Sequence, residues 1–473
     1  MRFSLLLLPL LLWPPQEKSA AGVFGMATAE HREGAAVAAA VLERGGNAVD
    51  AAVAAAFAMG VAMPSHSGLG GRSQLLVVLK DRVFHIDGGT QVPKSWVEGE
   101  GGKLKSVCVP GSVAALEMVL REGGTMKWAE AMAPAIELAK TKKNTAELVA
   151  TLGAIAAGGA KEFYEGKIAE KIAADMAERG GFVTKEDVAE YKAVKREPLR
   201  GSYRGYEVLT ADRPASGAMV LAALNALETF DVASLKEADR EHALIESLRI
   251  AFEDRKLRPA DPKAHAKKRA AEIDFKKAGM PRVDAEEEGD TTHISVVDKD
   301  GNACAFTQSL GPWTGAGAAK GLGFYYNATQ GVSGIVKPGE RHVTGQAPTI
   351  LRKDGKLALV VGSAGERRIT SAVTQVIHHV VDRGRGVRDA VFAPRWHWQG
   401  SQLMYESETA DGSLSASDAA LDELKSRGFS FHRMPSNPYW GRAQTVGWDA
   451  AKKEWVGAAD PRNPSGAAKA PAK

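Results

Sequence analysis

The chain has 473 residues, of which 44% are hydrophobic and 25% charged, with a formal net charge of +4. This composition is that of an ordinary globular protein, and the length allows one to three domains. Because the basic residues are scattered and do not cluster on one segment, nothing indicates a nucleic-acid partner.

The first residues predict a secretory signal peptide over residues 1–21. A basic start precedes an apolar run at 3–13, and Ser19 and Ala21 are small residues suited to cleavage before Gly22. The run is too short to span a bilayer, and no second stretch of about 18 apolar residues follows. We expect a secreted or periplasmic protein that leaves the membrane once the signal is removed. An uncleaved anchor is the alternative.

The first half of the mature chain predicts mainly helices. Two alanine-rich helices over residues 30–63 are separated at Gly45-Gly46, with Asn47 or a neighbour capping the second. A glycine loop at 65–74 leads into a two-stranded hairpin. Further helical patterns cover residues 111–140, a segment capped by Thr184, 217–230 and 240–255.

The helical pattern ends before residues 256–290. These residues are charged and poor in large apolar side chains, so a mobile linker is predicted. Order returns at Thr291 with a strand, a turn at 298–301 and a second strand. Later patterns predict a hairpin at 349–365, a helix at 367–384 and a strand pair at 444–460. The tail 461–473 is low in complexity and is predicted to be disordered. Strands and helices cluster on both sides of residue 291, which favours an α+β fold with helices packed outside paired sheets.

Only two cysteines occur, Cys108 and Cys304, so the chain is not a disulfide scaffold. One bridge and two buried thiols are both compatible with the sequence.

Two adjacent threonines begin the strand at Thr291, directly after an acidic run. If the Asp290–Thr291 bond breaks by attack of the threonine hydroxyl, Thr291 becomes a new N-terminus. An N-terminal threonine carries its own base, because a free α-amino group titrates at about 7.7 to 8. The alternative is a purely structural pair, since β-branched residues favour strands.

The surrounding motifs favour the chemical interpretation. Residues 26–460 contain, in this order, the blocks GGNAVDAAVAAAFAMGVAMP, CVPGSVAALEMVL, WAEAMAPAIELA, GFVTKEDVAEYKAVKREPLRGSYRGYEVLTADRPASGAMVL, EHALIESLRIAFEDR, TTHISVVDKDGNACAFTQS and GAADPR. On these blocks the chain resembles the γ-glutamyltranspeptidase family.

The resemblance implies a four-layer αββα N-terminal-nucleophile hydrolase sandwich. It also implies one precursor that is cut into a large subunit, 22–290, and a small subunit, 291–473, which together form a heterodimer. No cofactor is implied.

Site residues are carried over by matching positions. Thr291 matches the nucleophile, and Thr307 matches the threonine that hydrogen-bonds the nucleophile and assists processing. Ser309 occupies the place of a second hydroxyl residue, which we assign to substrate binding. Gly365 and Glu366 match the glycine-rich turn whose backbone N–H groups form the oxyanion hole.

The positions that hold a γ-glutamyl group depart from the family pattern. Gly89 stands where the carboxylate-binding arginine is expected, and Thr329 and Val332 replace an amide and a carboxylate that accept the amino group. Gly311 replaces an asparagine. A serine pair that would contact the carboxylate aligns with Thr344-Gly345, so Thr344 supplies one hydroxyl.

A replacement anchor is available in Arg72, which interrupts the glycine loop. We hypothesise that Arg72 binds an anionic group on a different acyl donor, with Arg367 and Arg368 as weaker candidates; a surface arginine is the alternative. Asn327 is also assigned to substrate binding.

Other residues offer no second chemistry. His378 and His379 are adjacent on a helix and therefore point to different faces, His397 lies between two tryptophans, and His293 is interpreted as structural. No metal-binding or phosphate-loop spacing occurs.

The sequence thus predicts an amidohydrolase or acyltransferase that acts on a small amide or peptide. Glutathione or another γ-glutamyl amide is the nominal donor. A catalytically silent relative that binds a small molecule or peptide, and an amidase for a non-glutamyl donor, are the alternatives.

Overall fold

The computed structural model describes residues 18–80, 82–143, 145–280, 289–312, 314–332, 334–408 and 416–472. The strands in chain order are β1 Ser19–Gly22, β2 Gly25–Ala29, β3 Arg72–Leu79, β4 Arg82–Gly88, β5 Val194–Arg196, β6 Leu199–Tyr203, β7 Tyr206–Thr210, β8 Asp290–Asp298, β9 Ala303–Gly311, β10 Gly317–Ala318, β11 Tyr325–Tyr326, β12 Thr349–Lys353, β13 Lys356–Ala364, β14 Trp396–Gln399, β15 Gln402–Glu406, β16 Phe431–Met434, β17 Arg442–Asp449, β18 Glu454–Ala459 and β19 Ala467–Lys469. The helices are α1 Arg32–Glu43, α2 Ala48–Ala62, α3 Ser112–Gly123, α4 Trp128–Thr141, α5 Ala146–Gly158, α6 Ala160–Tyr164, α7 Lys167–Arg179, α8 Lys185–Glu190, α9 Gly217–Leu227, α10 Glu237–Glu253, α11 Pro262–Ala270, α12 Arg368–Val381, α13 Val387–Phe392 and α14 Asp418–Ser426.

Two seven-stranded antiparallel sheets form the centre of the molecule. We call them the β13 sheet, with strand order β1-β18-β17-β13-β12-β7-β6, and the β8 sheet, with strand order β19-β2-β8-β9-β3-β4-β5. Each sheet takes strands from both sides of residue 291. The two predicted subunits therefore cannot be separate domains, because neither contains a complete sheet.

Three apolar layers hold this arrangement together. Side chains from both sheets, among them Met26, Leu76 and Val360, fill the space between the sheets. Helices α1 to α5 pack on the outer face of the β8 sheet, and helices α9, α10 and α12 pack on the outer face of the β13 sheet. The order helix, sheet, sheet, helix confirms the predicted four-layer αββα sandwich.

The alanine-rich helix α2 shows why the sequence has small residues there. Asn47 accepts hydrogen bonds from the backbone N–H groups of Val49 and Asp50, which forms the predicted cap. Thirteen of the fifteen residues of α2 are buried. Short side chains let a helix buried on nearly all sides approach the sheet closely.

Two segments predicted to lack order are folded. Within 256–290, helix α11 packs through Ala266 and Ala270 onto α9 and α10; residues 281–288 lie outside the described residues. The tail prediction is also wrong, because β19 pairs with β2 and Arg462 is buried. Low sequence complexity does not prevent order where a sheet edge supplies backbone partners.

The predicted signal peptide lies largely outside the described residues, which begin at residue 18. Residues 19–22 form β1, which pairs with β18 at the edge of the β13 sheet. Cleavage before Gly22 would remove three of the four residues of β1, and the position of the cut remains a prediction.

Both cysteines are buried free thiols, which decides the question that the sequence left open. Among the described residues, no helix is both long enough and apolar enough to cross a bilayer.

Candidate active site

The hairpin of β8 and β9 sets the geometry of the site. The Asp298 carboxylate accepts hydrogen bonds from the backbone N–H groups of Asp300 and Asn302, both at 3.0 Å, which closes the turn that the sequence predicts. The turn aligns Thr291 with Ser309 and His293 with Thr307. Residues directly opposite each other in an antiparallel pair point to the same face, so these four side chains share one surface.

The nucleophile candidate is hydrogen-bonded to Ser309 and not to Thr307. The Thr291 hydroxyl donates to Ser309 Oγ at 3.2 Å, and both side chains are fully buried. Ser309 Oγ also accepts a hydrogen bond from Gly311 N at 2.9 Å. The predicted hydrogen bond from Thr307 to Thr291 is wrong. Thr307 lies two residues before Ser309 on β9, so it is opposite His293 and not opposite Thr291.

The strand register shifts between Asp290 and Thr291, the bond that self-processing would break. Asp290 pairs with Gly311, while Thr291 pairs with Ser309, so Leu310 is an extra residue on β9. Such bulges re-aim the backbone and are common beside active sites. The irregularity places the candidate scissile bond at a distorted point of an otherwise regular hairpin.

Thr307 and His293 form a separate polar chain beside the nucleophile. His293 Nδ1 lies 2.7 Å from Thr307 Oγ1, and Nε2 lies 3.1 Å from Ser295 Oγ. Burial lowers the pKa of His293 to about 3, so its ring is neutral. The ring lies over Gly362 of β13, where a Cβ atom would come within 2.1 Å of it. His293 is therefore a packing residue between the sheets, as its sequence context indicates.

Arg442 holds the backbone of the nucleophile. Its Nη2 donates to the Thr291 carbonyl at 3.0 Å, and its Nε donates to the Glu30 carboxylate at 3.1 Å. Glu30 is fully buried, and burial raises its pKa to about 7 although Arg442 opposes the shift. The sequence analysis missed both residues. Arg442 begins the mixed polar and apolar strand β17, so no sequence pattern singles it out, and only tertiary contact reveals its partner.

The predicted oxyanion turn lies next to this arginine. Ala364, the last residue of β13, pairs with Arg442 across the sheet, and Gly365 and Glu366 then connect β13 to α12. Gly365 has φ +122° and Glu366 has φ +51°. A left-handed φ at a residue with a side chain costs roughly 1 to 2 kcal/mol. The turn lies at the N-terminal end of α12, where the helix dipole favours negative charge, and the oxyanion-hole assignment of Gly365 and Glu366 stays a prediction.

Arg72 is buried beside the nucleophile pair. It lies opposite Ser309 on β3, its exposed fraction is 0%, and none of its three guanidinium nitrogens has a hydrogen-bond partner among the described residues. The nearest carboxylate oxygen, Glu366 Oε2, is 3.5 Å from Nη2. Burial lowers the pKa of Arg72, and Glu366 opposes that shift. The alternative of a surface arginine is wrong, and a buried cation without hydrogen bonds is the chemistry of an anion site.

The expected clamp position at Gly89 has one arginine nearby among the described residues, and that arginine is already paired. The Arg341 side chain lies near Gly89, but its guanidinium is bound to the Asp87 carboxylate at 2.8 Å. Thr329 Oγ1 lies 3.0 Å from both Thr90 Oγ1 and Asn327 Oδ1. These hydrogen bonds are made within the protein, and they hold the Thr329 side chain in place.

Asn327 is a structural residue, so its assignment to substrate binding is wrong. Its amide hydrogens go to the carbonyls of Gly70 and Cys108, and its oxygen accepts from Cys108 N. Thr344, in contrast, stays near the site, because the following Gly345 is packed against the Glu366 carbonyl.

The remaining candidates make contacts with other residues than Thr291 and Ser309. The Arg368 guanidinium stacks on the Tyr439 ring at 4.0 Å, and Arg367 is its helix-capping neighbour. His379 is buried in α12, His378 is bound to Asp382, and His397 is bound to Ser371. No group of three metal-ligating side chains occurs within the part of the chain that the structure describes.

The volume of a cavity does not identify the candidate active site in this protein. A cavity of about 660 Å³ lies between β6, α9, α10 and α11, and its lining contains none of the candidate site residues. The site is defined by buried polar groups that converge between the sheets.

A threonine at the start of a central strand, facing a glycine turn across two sheets between helical layers, defines the class of N-terminal-nucleophile hydrolases. Comparison with known proteins agrees with this class. Residues 34–143 and 141–470 match the family described as Gamma-glutamyltranspeptidase. The glutathione hydrolase proenzyme of Escherichia coli (strain K12) is 32% identical over 475 residues, which covers 80% of this chain and 82% of that protein.

Two further relatives are acylases. The acylase ACY 1 proenzyme of Pseudomonas sp. (strain SE83) is 31% identical over 506 residues, with 89% of each chain covered. The crystal structure of cephalosporin acylase from Bacillus halodurans has the same fold, with a TM-score of 0.84, 24% identity and coverage of 97% of this chain and 98% of that chain. The chain belongs to the gamma-glutamyltranspeptidase family, and it is an amide-cleaving enzyme of the hydrolase and acyltransferase kind.

Proposed function

We propose that the protein is an exported, self-processing amidohydrolase or acyltransferase with Thr291 as its nucleophile. The observation that carries this proposal is the buried Thr291 hydroxyl, bonded to Ser309 at the point where the strand register shifts. Export rests on the sequence of residues 1–21, and self-processing is supported by the relatives, which are proenzymes.

Processing begins with attack of Thr291 Oγ on the carbonyl carbon of Asp290. The Oγ–C bond forms, the C–N bond breaks, and the hydroxyl proton passes to the departing nitrogen. Water then hydrolyses the ester, which leaves subunits 22–290 and 291–473 in one heterodimer. Arg442 keeps the nucleophile in place through both steps, because it binds the Thr291 carbonyl, which is not broken.

Catalysis on a donor amide repeats the attack with the new α-amino group as base. The amine takes the proton from Oγ and gives it to the leaving amine, and water or a second amine later releases the acyl group. Gly365 N–H and Glu366 N–H stabilise the oxyanion, and loss of one such donor typically costs about 3 to 4 kcal/mol of barrier. His293 is buried and already bonded to Thr307 and Ser295, so it does not take part as a base.

The altered clamp indicates a donor other than a γ-glutamyl amide. Thr329 and Val332 offer no charged acceptor for an amino group, whereas Arg72 offers a buried guanidinium whose nitrogens have no hydrogen-bond partner among the described residues. We therefore propose an acyl donor with a terminal carboxylate and no α-amino group. Among 4-nitroanilides, the glutaryl compound should be cleaved faster than the γ-glutamyl compound, which differs from it only by the amino group.

The proposal is tested by denaturing electrophoresis and N-terminal sequencing of the purified protein. Two fragments, one beginning Thr-Thr-His, are expected, and Thr291→Ala should remain uncut because the acyl shift needs the hydroxyl. A single chain that stays uncut on incubation would support a catalytically silent relative. Normal cutting of the Thr291→Ala protein would refute the nucleophile assignment.

A further inference from the structure

Glu366 has a side chain where the local backbone favours glycine. Its φ of +51° is left-handed, yet the residue carries a carboxylate whose Oε2 lies 3.5 Å from Arg72 Nη2. The backbone of Glu366 suffices for the oxyanion hole. The side chain therefore needs an explanation of its own.

The contact between Glu366 and Arg72 is close but incomplete. At 3.5 Å it is an ion pair without a hydrogen bond, and all three guanidinium nitrogens lack a hydrogen-bond partner among the described residues. A carboxylate bound to arginine normally makes two short parallel bonds. The anion site is thus bordered by Glu366 and not filled by it.

Arg72 lies two strands away from Thr291, with β9 between them. It is opposite Ser309 on β9, which is opposite Thr291 on β8. Neighbouring strands are roughly 5 Å apart, so the two backbones are roughly 10 Å apart. An arginine side chain and a short acyl chain together can span this gap.

The Glu366 carboxylate also borders the segment that processing would release. A Cβ atom on Gly289 would lie 3.2 Å from Glu366 Oε2, so the backbone just before Thr291 passes beside this carboxylate in the uncut chain. On the other side, Gly345 packs against the Glu366 carbonyl. The backbone of Glu366 is packed against Gly345, while its side chain borders a chain segment that a cut before Thr291 would turn into a free end.

We propose that the Glu366 carboxylate is an internal stand-in for the carboxylate of the acyl donor, and that it limits donor affinity by competing for Arg72. In the uncut chain it neutralises the buried guanidinium. In the cut enzyme the donor carboxylate takes the bidentate position on Arg72, and Glu366 turns towards the space left by residue 289. This inference rests on the proposed function, since it requires a carboxylate-bearing donor.

The opposite role for Glu366 predicts the opposite change in donor affinity. If Glu366 instead oriented Arg72 for the donor, removal of its charge would weaken binding. Glu366→Gln keeps the backbone N–H and the side-chain volume, so it separates the two roles.

The test is calorimetric titration of the purified protein with glutarate, accompanied by Michaelis constants for the glutaryl and pentanoyl 4-nitroanilides. Glu366→Gln should bind glutarate roughly five- to ten-fold more tightly, because one competing charge has been removed. The Michaelis constant for the glutaryl anilide should fall by the same factor relative to that for the uncharged pentanoyl anilide, measured with the same variant.

Two controls make the result specific. Glu340→Gln removes the same charge from an exposed loop residue and should leave glutarate affinity unchanged. Arg72→Met should abolish glutarate binding, and Glu366→Gln should have no effect in that background. Circular dichroism checks that each variant is folded.

The inference is overturned if Glu366→Gln binds glutarate equally or more weakly, or if tightening persists without Arg72. Its failure is distinguishable from failure of the proposed function. Tighter glutarate binding by a protein that cleaves neither anilide would refute the function and keep the anion site. Cleavage of the glutaryl anilide together with an unchanged glutarate affinity in Glu366→Gln would refute this inference and keep the proposed function.

Discussion

At the scale of single residues, the hydrogen bond of the Thr291 hydroxyl identifies the side chain that we expect to assist it. Ser309 is bonded to Thr291, whereas Thr307 is bonded to His293. Two hydroxyl residues two positions apart on one strand share a face, so the sequence alone does not distinguish their partners.

We expect Ser309→Ala to slow both fragment release and anilide turnover by roughly ten- to a hundred-fold, because the Thr291 hydroxyl loses its partner. Thr307→Val is the matched control. It should leave turnover within about three-fold while lowering the free energy of unfolding by about 1 to 3 kcal/mol, since buried His293 Nδ1 loses its bond. A larger rate loss in Thr307→Val than in Ser309→Ala would restore the original assignment.

His293 makes a pH-dependent contribution to stability. Its folded-state pKa, about 3, lies below its ordinary value of 6.5, so the unfolded chain binds a proton first as the pH falls. The associated stability is complete above about pH 6.5 and is lost as the pH falls towards 3, with a slope of up to about 1.4 kcal/mol per pH unit.

Urea unfolding between pH 7 and pH 4 measures this effect. The free energy of unfolding of the wild type should fall more steeply with decreasing pH than that of His293→Gln, so the two proteins should converge. A constant difference across this range would show that His293 is not held neutral by burial.

At the scale of elements, the contact between β8 and β13 depends on a glycine. His293 from one sheet occupies the space over Gly362 in the other, and this contact brings Thr291 close to the turn that follows β13. Glycine is required here for close approach of the two sheets and not for an unusual φ.

Gly362→Ala should therefore lower the free energy of unfolding by about 1 to 3 kcal/mol and reduce turnover, because the added Cβ would lie 2.1 Å from the imidazole ring. The control is Gly153→Ala in α5, where no atom lies within 4 Å of the new methyl group. That change should stabilise the protein by up to about 1 kcal/mol through helix propensity. Equal effects of both changes in thermal unfolding would contradict the close sheet packing.

At the scale of the whole molecule, the tail is part of the fold. Arg462 donates to the Glu406 carboxylate at 2.6 and 2.8 Å and to the Asp460 carboxylate at 3.1 Å, and all three side chains are fully buried. The Glu406 and Asp460 carboxylates raise the pKa of Arg462 despite the opposing effect of burial. This cluster joins β15, β18 and the segment before β19.

Arg462→Met should lower the free energy of unfolding by about 3 to 5 kcal/mol, because the buried Glu406 carboxylate loses its cation and the Asp460 carboxylate keeps only Arg395. Arg388→Met removes an exposed ion pair, whose side chains are 49% and 66% exposed, and should cost less than about 1 kcal/mol. Chemical denaturation of both variants measures the difference. Equally small losses of unfolding free energy in the two variants would show that the tail is dispensable for folding.

The sequence by itself determined the class of the protein, and it supplied the prediction of nucleophilic chemistry at Thr291. The motif blocks identified the family, alternation predicted the β8–β9 hairpin, and Gly365 marked the turn after β13. These features are local, because strand period, capping and turn chemistry depend on neighbours along the chain.

Only the tertiary structure decided which residues meet. Ser309 rather than Thr307 bonds the nucleophile because of cross-strand register, and Arg72 is buried because two sheets close over it. Glu30 and Arg442 are 412 positions apart and pair only after both strands are placed. The physical reason is that burial and pairing depend on how the sheets pack, and sequence patterns do not encode the partner across that interface.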